Sequence, residues 1–289
     1  MENYYSIAGH LVCIVCESPT VMLALSEFEA FQVSGSESES GNTDIIVTLQ
    51  EDTPQSVQGT LYHTLVTDVA VSRFYNSAEV SGMEIWQCER LQLTMRFKHG
   101  SQECFIQGNL SPLLLRFALW AAFNIAVIGR QTVAIHASAV IYQGRAFLFL
   151  GESGTGKSTH TRLICQHYPQ AELLNDDSPI LRIEHDRCMV YGSPWSGKTS
   201  CYRQCKAPLG GVVRLHQSVV NKISRLPVHQ AIGALLPSFP PELYLCYGSQ
   251  SKVLAIISEI IEQAPVYSLQ CLPDKEAAEM SVETITKSL

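Results

Sequence analysis

The chain of 289 residues has little charge, and less of the positive sign than of the negative. Charged residues make up 16% of it, with 20 Lys and Arg against 27 Asp and Glu and a formal net charge of −7. Binding to a nucleic-acid backbone needs clustered Lys and Arg, so the charge argues against a partner held mainly through its phosphates, whereas a small anion held locally is allowed. Nor is there a run of about 20 uncharged apolar residues, the length that a membrane-spanning helix requires. The nearest candidate, LLLRFALWAAFNIAVIG from Leu113 to Gly129, is interrupted by Arg116 and Asn124 and reads as a buried helix. No charged n-region, apolar run and cleavage site opens the chain, which begins MENYYSIAGH. The expectation is a cytoplasmic protein with reduced thiols.

The ten cysteines supply one C-x-x-C, Cys13 to Cys16, and no second such pair follows it. It lies in HLVCIVC, which reads as a strand in which residues three apart point to opposite faces, so buried thiols are expected in preference to half a zinc site. Cys201 and Cys205 read the same way. The guanine motif N-K-x-D fails at Asn221-Lys222-Ile223-Ser224, which lacks the Asp, and no LSGGQ-like signature is present. These absences count against a GTPase switch and an ABC-type ATPase. Internal repeats are absent too.

What the chain does have is a glycine pattern used twice. GESGTGKS (Gly151 to Ser158) and GSPWSGKT (Gly192 to Thr199) both satisfy G-x-x-x-x-G-K-[ST]. A phosphate loop works because successive backbone N–H groups, free of bulky side chains, curl around the phosphates while a helix N-terminus faces them. The first match has the required flanks: the apolar strand AFLFL before it and the helix-compatible STHTRLICQHY after it. Gly151, Ser153, Gly154, Thr155, Gly156, Lys157, Ser158 and Thr159 are therefore the expected ATP-binding residues. Lys157 would bridge the phosphates, and the Ser158 hydroxyl would go to Mg²⁺.

The second match is built differently. Pro194 has no N–H, Trp195 is large where backbone should approach a phosphate, and Pro208 cuts short any following helix. It is either a loop that leans Trp195, Lys198 and Thr199 over the transferred phosphoryl or the acceptor, or a tight turn whose Trp is simply packed.

Phosphoryl transfer also needs carboxylates near the metal. AELLNDDSP places Asp176 and Asp177 at the end of a strand, where adjacent carboxylates repel unless a cation or a proton separates their roles. A plain Asx turn is the alternative. His136, in AIHASAV one hairpin before the glycine loop, is either a satisfied core histidine or part of the site.

The first hundred or so residues read as an antiparallel β-rich unit, with strands in HLVCIVC, TDIIVTL, LYHTLVTDVAVSRFY, LQLTMRFK and ECFIQG, and SGSESESGN as a solvated loop between Val33 and Thr43. From Ser111 the texture changes. The apolar helix opens at Ser111-Pro112, a hairpin turning at Tyr142-Gln143-Gly144 leads into the glycine loop, AELLNDD and CMVYGSP add strands, and helix, strand and helix close the chain. Two domains are expected, a β-rich one over 1–110 and an α/β glycine-loop domain over 111–289.

HASAV, GESGTGKST and NDD, at their separations, resemble the catalytic domain of HPr kinase/phosphorylase and, more distantly, phosphoenolpyruvate carboxykinase. YYSIAGH, GSPWSGK and VYSLQCLPDKEAA are similar to segments of uncharacterised HPr-kinase-like serine kinases. The likeness spans most of the chain and is most specific from Ala134 to Lys198. It implies an α/β mixed-sheet P-loop kinase domain preceded by a smaller β-rich N-terminal domain. It also implies His136 beside Asp176 as general base, Asp177 with Ser158 on Mg²⁺, and Lys157 on the phosphates. The signature stretch of the bifunctional enzyme is missing, which speaks against phosphorylase activity. The chain looks too short for a carboxykinase.

The expectation is thus an ATP- and Mg²⁺-dependent kinase acting on a serine-type hydroxyl of a protein, peptide or small molecule, with Asp176, His136 and Lys198 catalytic. No nucleic acid or membrane partner is expected, and a homo-oligomer is compatible with the sequence. The competing reading is a nucleotide-binding regulatory module without transfer.

Overall fold

The computed structural model describes residues 1–23, 25–33, 43–197, 199–246 and 248–287. The polar segment SGSESESGN and Lys198, both singled out above, lie outside the described residues. The chain is mixed α/β, with two mixed sheets in two compact units: Met1–Arg130 with Pro241–Gln250, and Gln131–Pro240 with Ser251–Leu289.

The first unit holds β1 (Glu2–Ile7), β2 (His10–Val15), β3 (Ile45–Gln50), β4 (Thr60–Val66), β5 (Val71–Asn76), β6 (Val80–Gln87), β7 (Arg90–Lys98) and β8 (Glu103–Gly108). They form one sheet in the order β1-β2-β3-β8-β7-β6-β5-β4. The expected all-antiparallel pairing needs correction, because β3 runs parallel to both neighbours, β2 and β8. Parallel neighbours cannot be joined by a tight hairpin, and the chain between β2 and β3 includes the one-turn helices Pro19–Leu23 and Ser26–Phe31.

Helix α1 (Pro112–Val127) packs against β7 and β6 of this sheet. The boundary expected at Ser111 therefore falls after Arg130, because the apolar helix buries Leu115, Ala118, Ala122 and Val127 within the first unit. More than half of its apolar window is buried, and Arg116, which interrupts the run, pairs with Glu27 at 2.7 Å. The short helix Pro241–Tyr244 also belongs to this unit. Its Glu242 is buried, and the loss of solvent pushes the carboxyl up to about 7.

The second unit holds β9 (Thr132–Ala134), β10 (Ala137–Tyr142), β11 (Arg145–Leu150), β12 (Glu172–Asp177), β13 (Ile180–Glu184), β14 (Arg187–Tyr191), β15 (Lys206–Gln217), β16 (Lys222–Arg225) and β17 (Val266–Cys271). Their order is β12-β10-β11-β15-β14-β13-β9, with β17 pairing β15 and β16. The turn between β10 and β11 is the expected one. Gln143 (φ 49°) and Gly144 (φ 74°) are both left-handed, as a two-residue hairpin of matching twist requires.

Strands β11, β15 and β17 are parallel, and the other pairs are antiparallel. Helices α2 (Lys157–His167) and α5 (Lys275–Thr286) cover one face. There Phe147, Phe149, Val213, Leu215 and Leu269 of the sheet meet Ile164, Ala278, Val282 and Ile285 in one apolar cluster. Each such side chain, fully buried, contributes about 1.5–3 kcal/mol. Helices α3 (Val228–Leu235) and α4 (Gln250–Gln263) complete the set. The consequence for function lies at the ends of the strands. Leu150 feeds the glycine loop into α2, and the end of β12 carries the two aspartates.

Candidate active site

The glycine loop leaves β11 at Gly151 and enters α2 at Lys157. Gly151, Gly154 and Gly156 take φ values of 153°, 82° and 101°, which side chains disfavour, so the glycines are required by conformation. A Cβ at Gly154 or Gly156 would meet nothing within 4 Å, which leaves open space over the backbone on the loop's outer surface. Thr155 Oγ1 donates to Glu152 O (2.8 Å) and Gln217 Nε2 to Gly154 O (3.1 Å), while Arg214 pairs with Glu152 at 2.8 Å. These contacts hold the loop in a curl at the N-terminus of a three-turn helix, the arrangement that favours an anion.

Lys157 is folded back onto this loop. Its Nζ donates to Gly151 O (2.9 Å) and Glu152 O (3.3 Å) and meets His136 Nε2 at 2.8 Å. Burial pushes the Lys157 ammonium below its ordinary range, against the pull of Asp177, Asp176 and Glu152. An ammonium has no acceptor, so Nε2 of His136 accepts and the ring proton sits on Nδ1. Nδ1 lies 3.2 Å from Asp177 Oδ1. Lysine, imidazole and carboxylate thus stand in a row from the glycine loop to the end of β12, the first pair hydrogen-bonded and the second at ion-pair distance.

The expected pairing of His136 with Asp176 is therefore corrected: His136 meets Asp177. The cause is local: His136 stands ahead of β10, and Asp177 turns at the end of β12 with a φ of 131°, so the pair departs from strand alternation. On β10 and β12, Ala137 stands opposite Asp177 and Ser138 opposite Asp176. The residue that reaches Asp176 is Ser138, whose hydroxyl donates to Oδ1 at 2.7 Å. Ser138 Oγ is also 3.1 Å from Thr161 Oγ1, which donates to Lys157 O at 3.2 Å, so α2 is tied to the same carboxylate. His136 itself lies between β9 and β10, not within a strand.

The two aspartates occupy different environments. Asp176 is 3% exposed, and its second oxygen, Oδ2, is buried without a hydrogen-bond partner among the described residues. Asp177 has 46% of its side chain exposed and a positive φ of 131°, a backbone state that costs about 1–3 kcal/mol for a non-glycine residue. The second glycine pattern holds it there. Ser196 bridges to Asp177, Ser196 Oγ donates to Asp176 O (3.1 Å), and a Cβ on Gly197 would lie 3.2 Å from Asp177 Cβ.

Of the two readings offered for GSPWSGKT, its Trp195 supports the packed turn, being buried. No helix follows it, and its first glycine, Gly192, is demanded by Arg203 O, 2.0 Å from where a Cβ would stand. Asn175, expected only as the head of an Asx turn over Asn175-Asp176-Asp177, organises this loop. Its buried Nδ2 donates to Ser193 O, Ser193 Oγ and Trp195 O at 3.1–3.3 Å, and its Oδ1 accepts from Ser178 N at 2.8 Å.

His136, Ser153, Gly154, Gly156, Lys157, Ser158, Thr159, Asp176, Asp177 and Gly197 together line one cavity of about 370 Å³. Residues expected from three separate segments thus meet at one place. Ser138, Thr161, Arg214 and Gln217 support it without having been expected, and Asn175 does so beyond the turn expected of it. Ser138 alone had a local signal, standing two residues from His136 in a strand-like run. A larger cavity of about 630 Å³ in the first unit is lined by Glu51, Asp52 and Asn109 among others, with no glycine loop or lysine in its wall.

No protein-family model and no curated protein matches the chain. Among solved structures, the Hpr(Ser) kinase/phosphatase from Coxiella burnetii is similar over 54% of this chain and 93% of its own, at 12% identity and a TM-score of 0.31. A likeness of that size is weak, and the chemistry of the cavity has to carry the functional reading.

Proposed function

We propose that the protein binds ATP on the loop Gly151–Thr159 and transfers the γ-phosphoryl to a serine-type hydroxyl of a protein, peptide or small molecule. The observation that carries this reading is the meeting, in one cavity, of a glycine curl at a helix N-terminus, its lysine, and two carboxylates of unequal burial. The glycine loop offers open backbone to a phosphate chain. Lys157 offers three N–H donors, now spent on two loop carbonyls and His136, that can turn to phosphate oxygens.

Mg²⁺ fits the site on one observation, the buried Oδ2 of Asp176, unpartnered among the described residues, in the same wall as Ser158. These two residues would hold it, and when bound it neutralises charge on the phosphates. A hard dication that keeps several waters and substrate oxygens needs few protein ligands, in keeping with a two-oxygen site.

Asp177 is the better-supported base. It is open to an acceptor arriving from solvent, and the His136 ring stands beside it, Nδ1 lying 3.2 Å from Oδ1. The acceptor hydroxyl gives its proton to Asp177 as its oxygen bonds to the γ-phosphorus and the bond to the β,γ-bridging oxygen breaks, which releases ADP. This allocation exchanges the roles expected for the two aspartates from the resemblance.

The test is incubation with γ-labelled ATP, Mg²⁺ and a panel of free serine, serine-containing peptides and cell extract. Label on a hydroxyl acceptor, lost in Asp177→Asn while ATP still binds, is the expected result. Bound ATP with no labelled acceptor in any arm would leave a nucleotide-binding module.

A further inference from the structure

The triphosphate reading leaves the nucleoside without a place. Strands β11, β15 and β17 run parallel, side by side, and end at Leu150, Gln217 and Cys271. In open α/β sheets, ligands lie beyond the carboxyl ends of such strands. The glycine loop grows from the first of the three ends. On one flank of it stand His136, Asp176 and Asp177, at the ends of β10 and β12, and on the other flank stand β15 and β17.

A nucleoside triphosphate carries its reacting phosphoryl at one end and its base at the other. With the γ-phosphoryl turned toward the aspartates, the nucleoside leaves across the ends of β15 and β17. That direction is marked by Gln217, whose side chain holds Gly154 O of the glycine loop at 3.1 Å.

Two residues beyond Gln217 stand Val219 and Val220, 88% and 54% exposed, and Leu272, 38% exposed, follows the end of β17. Their backbones are joined into one frame. Ser218 N donates to Cys271 O (3.1 Å), and Leu272 N donates to the side chain of Asn221 (2.8 Å). The amide of Asn221 in turn donates to Asp274 (3.1 Å), the residue that caps α5 by accepting from Ala277 N. Exposed valines on a fixed frame beside a phosphate loop contribute little to folding, and an aromatic base gains from covering them.

We infer that Val219, Val220 and Leu272 form the ledge on which the purine base of the bound nucleotide lies. The inference rests on the triphosphate reading of the glycine loop. It assigns apolar contact with the face of the ring as the means of holding the base.

The test is calorimetric titration of the full chain, with Mg²⁺, by ATP and by inorganic tripolyphosphate. The variant carries Val219→Ser with Val220→Ser, two exposed positions whose change leaves the core intact. Loss of part of the burial of two valines should weaken ATP about tenfold. Tripolyphosphate, which has no base, should bind the variant and the parent alike. Unchanged ATP affinity, or equal weakening of both ligands, would overturn the ledge. Failure of the parent chain to bind either ligand would overturn the triphosphate reading itself, and the ledge with it. A photoreactive 8-azido-ATP gives a second readout. Label on peptides containing 218–221 or 272–273 supports the assignment, and label confined to other peptides refutes it.

Discussion

Replacing His136 by Ala should move nucleotide binding and phosphoryl transfer in opposite directions. In the free protein Lys157 Nζ has three partners, and His136 Nε2, at 2.8 Å, is the closest of them. A nucleotide that recruits Lys157 to its phosphates has to break that bond. A hydrogen bond to a charged group is worth about 1.5–3 kcal/mol when shielded. The His136 side chain is 44% exposed, and solvent screening reduces the figure to roughly 0.5–1.5 kcal/mol. Removal of the imidazole should therefore tighten ATP binding by roughly two- to tenfold.

The same change removes the ring that stands 3.2 Å from Asp177. Transfer should slow by roughly 10- to 100-fold, less than the 10²–10⁴ expected for Asp177→Asn, and the double variant should be no slower than Asp177→Asn alone. Binding is read by calorimetry with a non-hydrolysable ATP analogue and Mg²⁺, and transfer by single turnover. ATP binding weakened tenfold or more in His136→Ala would show that the imidazole holds the nucleotide, and would refute the idea that its bond to Lys157 competes with the phosphates.

Lys157→Ala should weaken ATP by about 10²-fold or more through loss of the charged phosphate contacts, seen in the same titration. Asn175→Ala should destabilise the second unit by about 3–5 kcal/mol, since it leaves buried loop carbonyls and Ser178 N without partners. A urea midpoint within error of the parent would refute that. Gly197→Ala should lower transfer more than ATP affinity, because its methyl presses on Asp177 at 3.2 Å and leaves the glycine loop untouched. Glu242 makes stability depend on pH. Its folded value of about 7 lies above the ordinary 4.5, so the folded state binds the extra proton and stability falls as pH rises from about 4.5 through 7. Glu242→Gln should remove that slope and gain roughly 3 kcal/mol at pH 8, read from urea unfolding at several pH values.

The parts of the fold legible in the sequence are those written locally. The hairpin at Gln143-Gly144, the strand–glycine loop–helix unit and the strand ending in the aspartates each carry their own turn or periodicity signal. Strand β6 did not, because Ser81 to Ile85 are buried in succession and show no alternation. The parallel pairing of β3 with β2 and β8 joins segments distant in the chain and has no local signature. The partner of His136 was missed for a different reason. With Ala137 opposite Asp177, strand alternation would place His136 on the face of Asp176; it meets Asp177 because it stands outside β10 and because Asp177 leaves extended backbone at a φ of 131°, and neither departure has a sequence signal.

The two glycine patterns show why spacing alone cannot assign chemistry. In Gly151 to Ser158 the glycines are needed for left-handed backbone, and the space over Gly154 and Gly156 is empty, so main-chain N–H groups can approach a ligand. In Gly192 to Thr199 the glycines are needed because other chain segments already fill the space, Arg203 O against Gly192 and the aspartate pair against Gly197. Neither Gly192 nor Gly197 has a positive φ. The first pattern therefore leaves room for something outside the protein, and the second is consumed in building it. They still serve one site, because the residues that crowd Gly197 are the carboxylates that the open loop requires across the cavity. A methyl added at Gly154 or Gly156 would strain the backbone and intrude where the proposed phosphate would lie, whereas one added at Gly197 should displace Asp177, the proposed base, and leave the proposed nucleotide site intact.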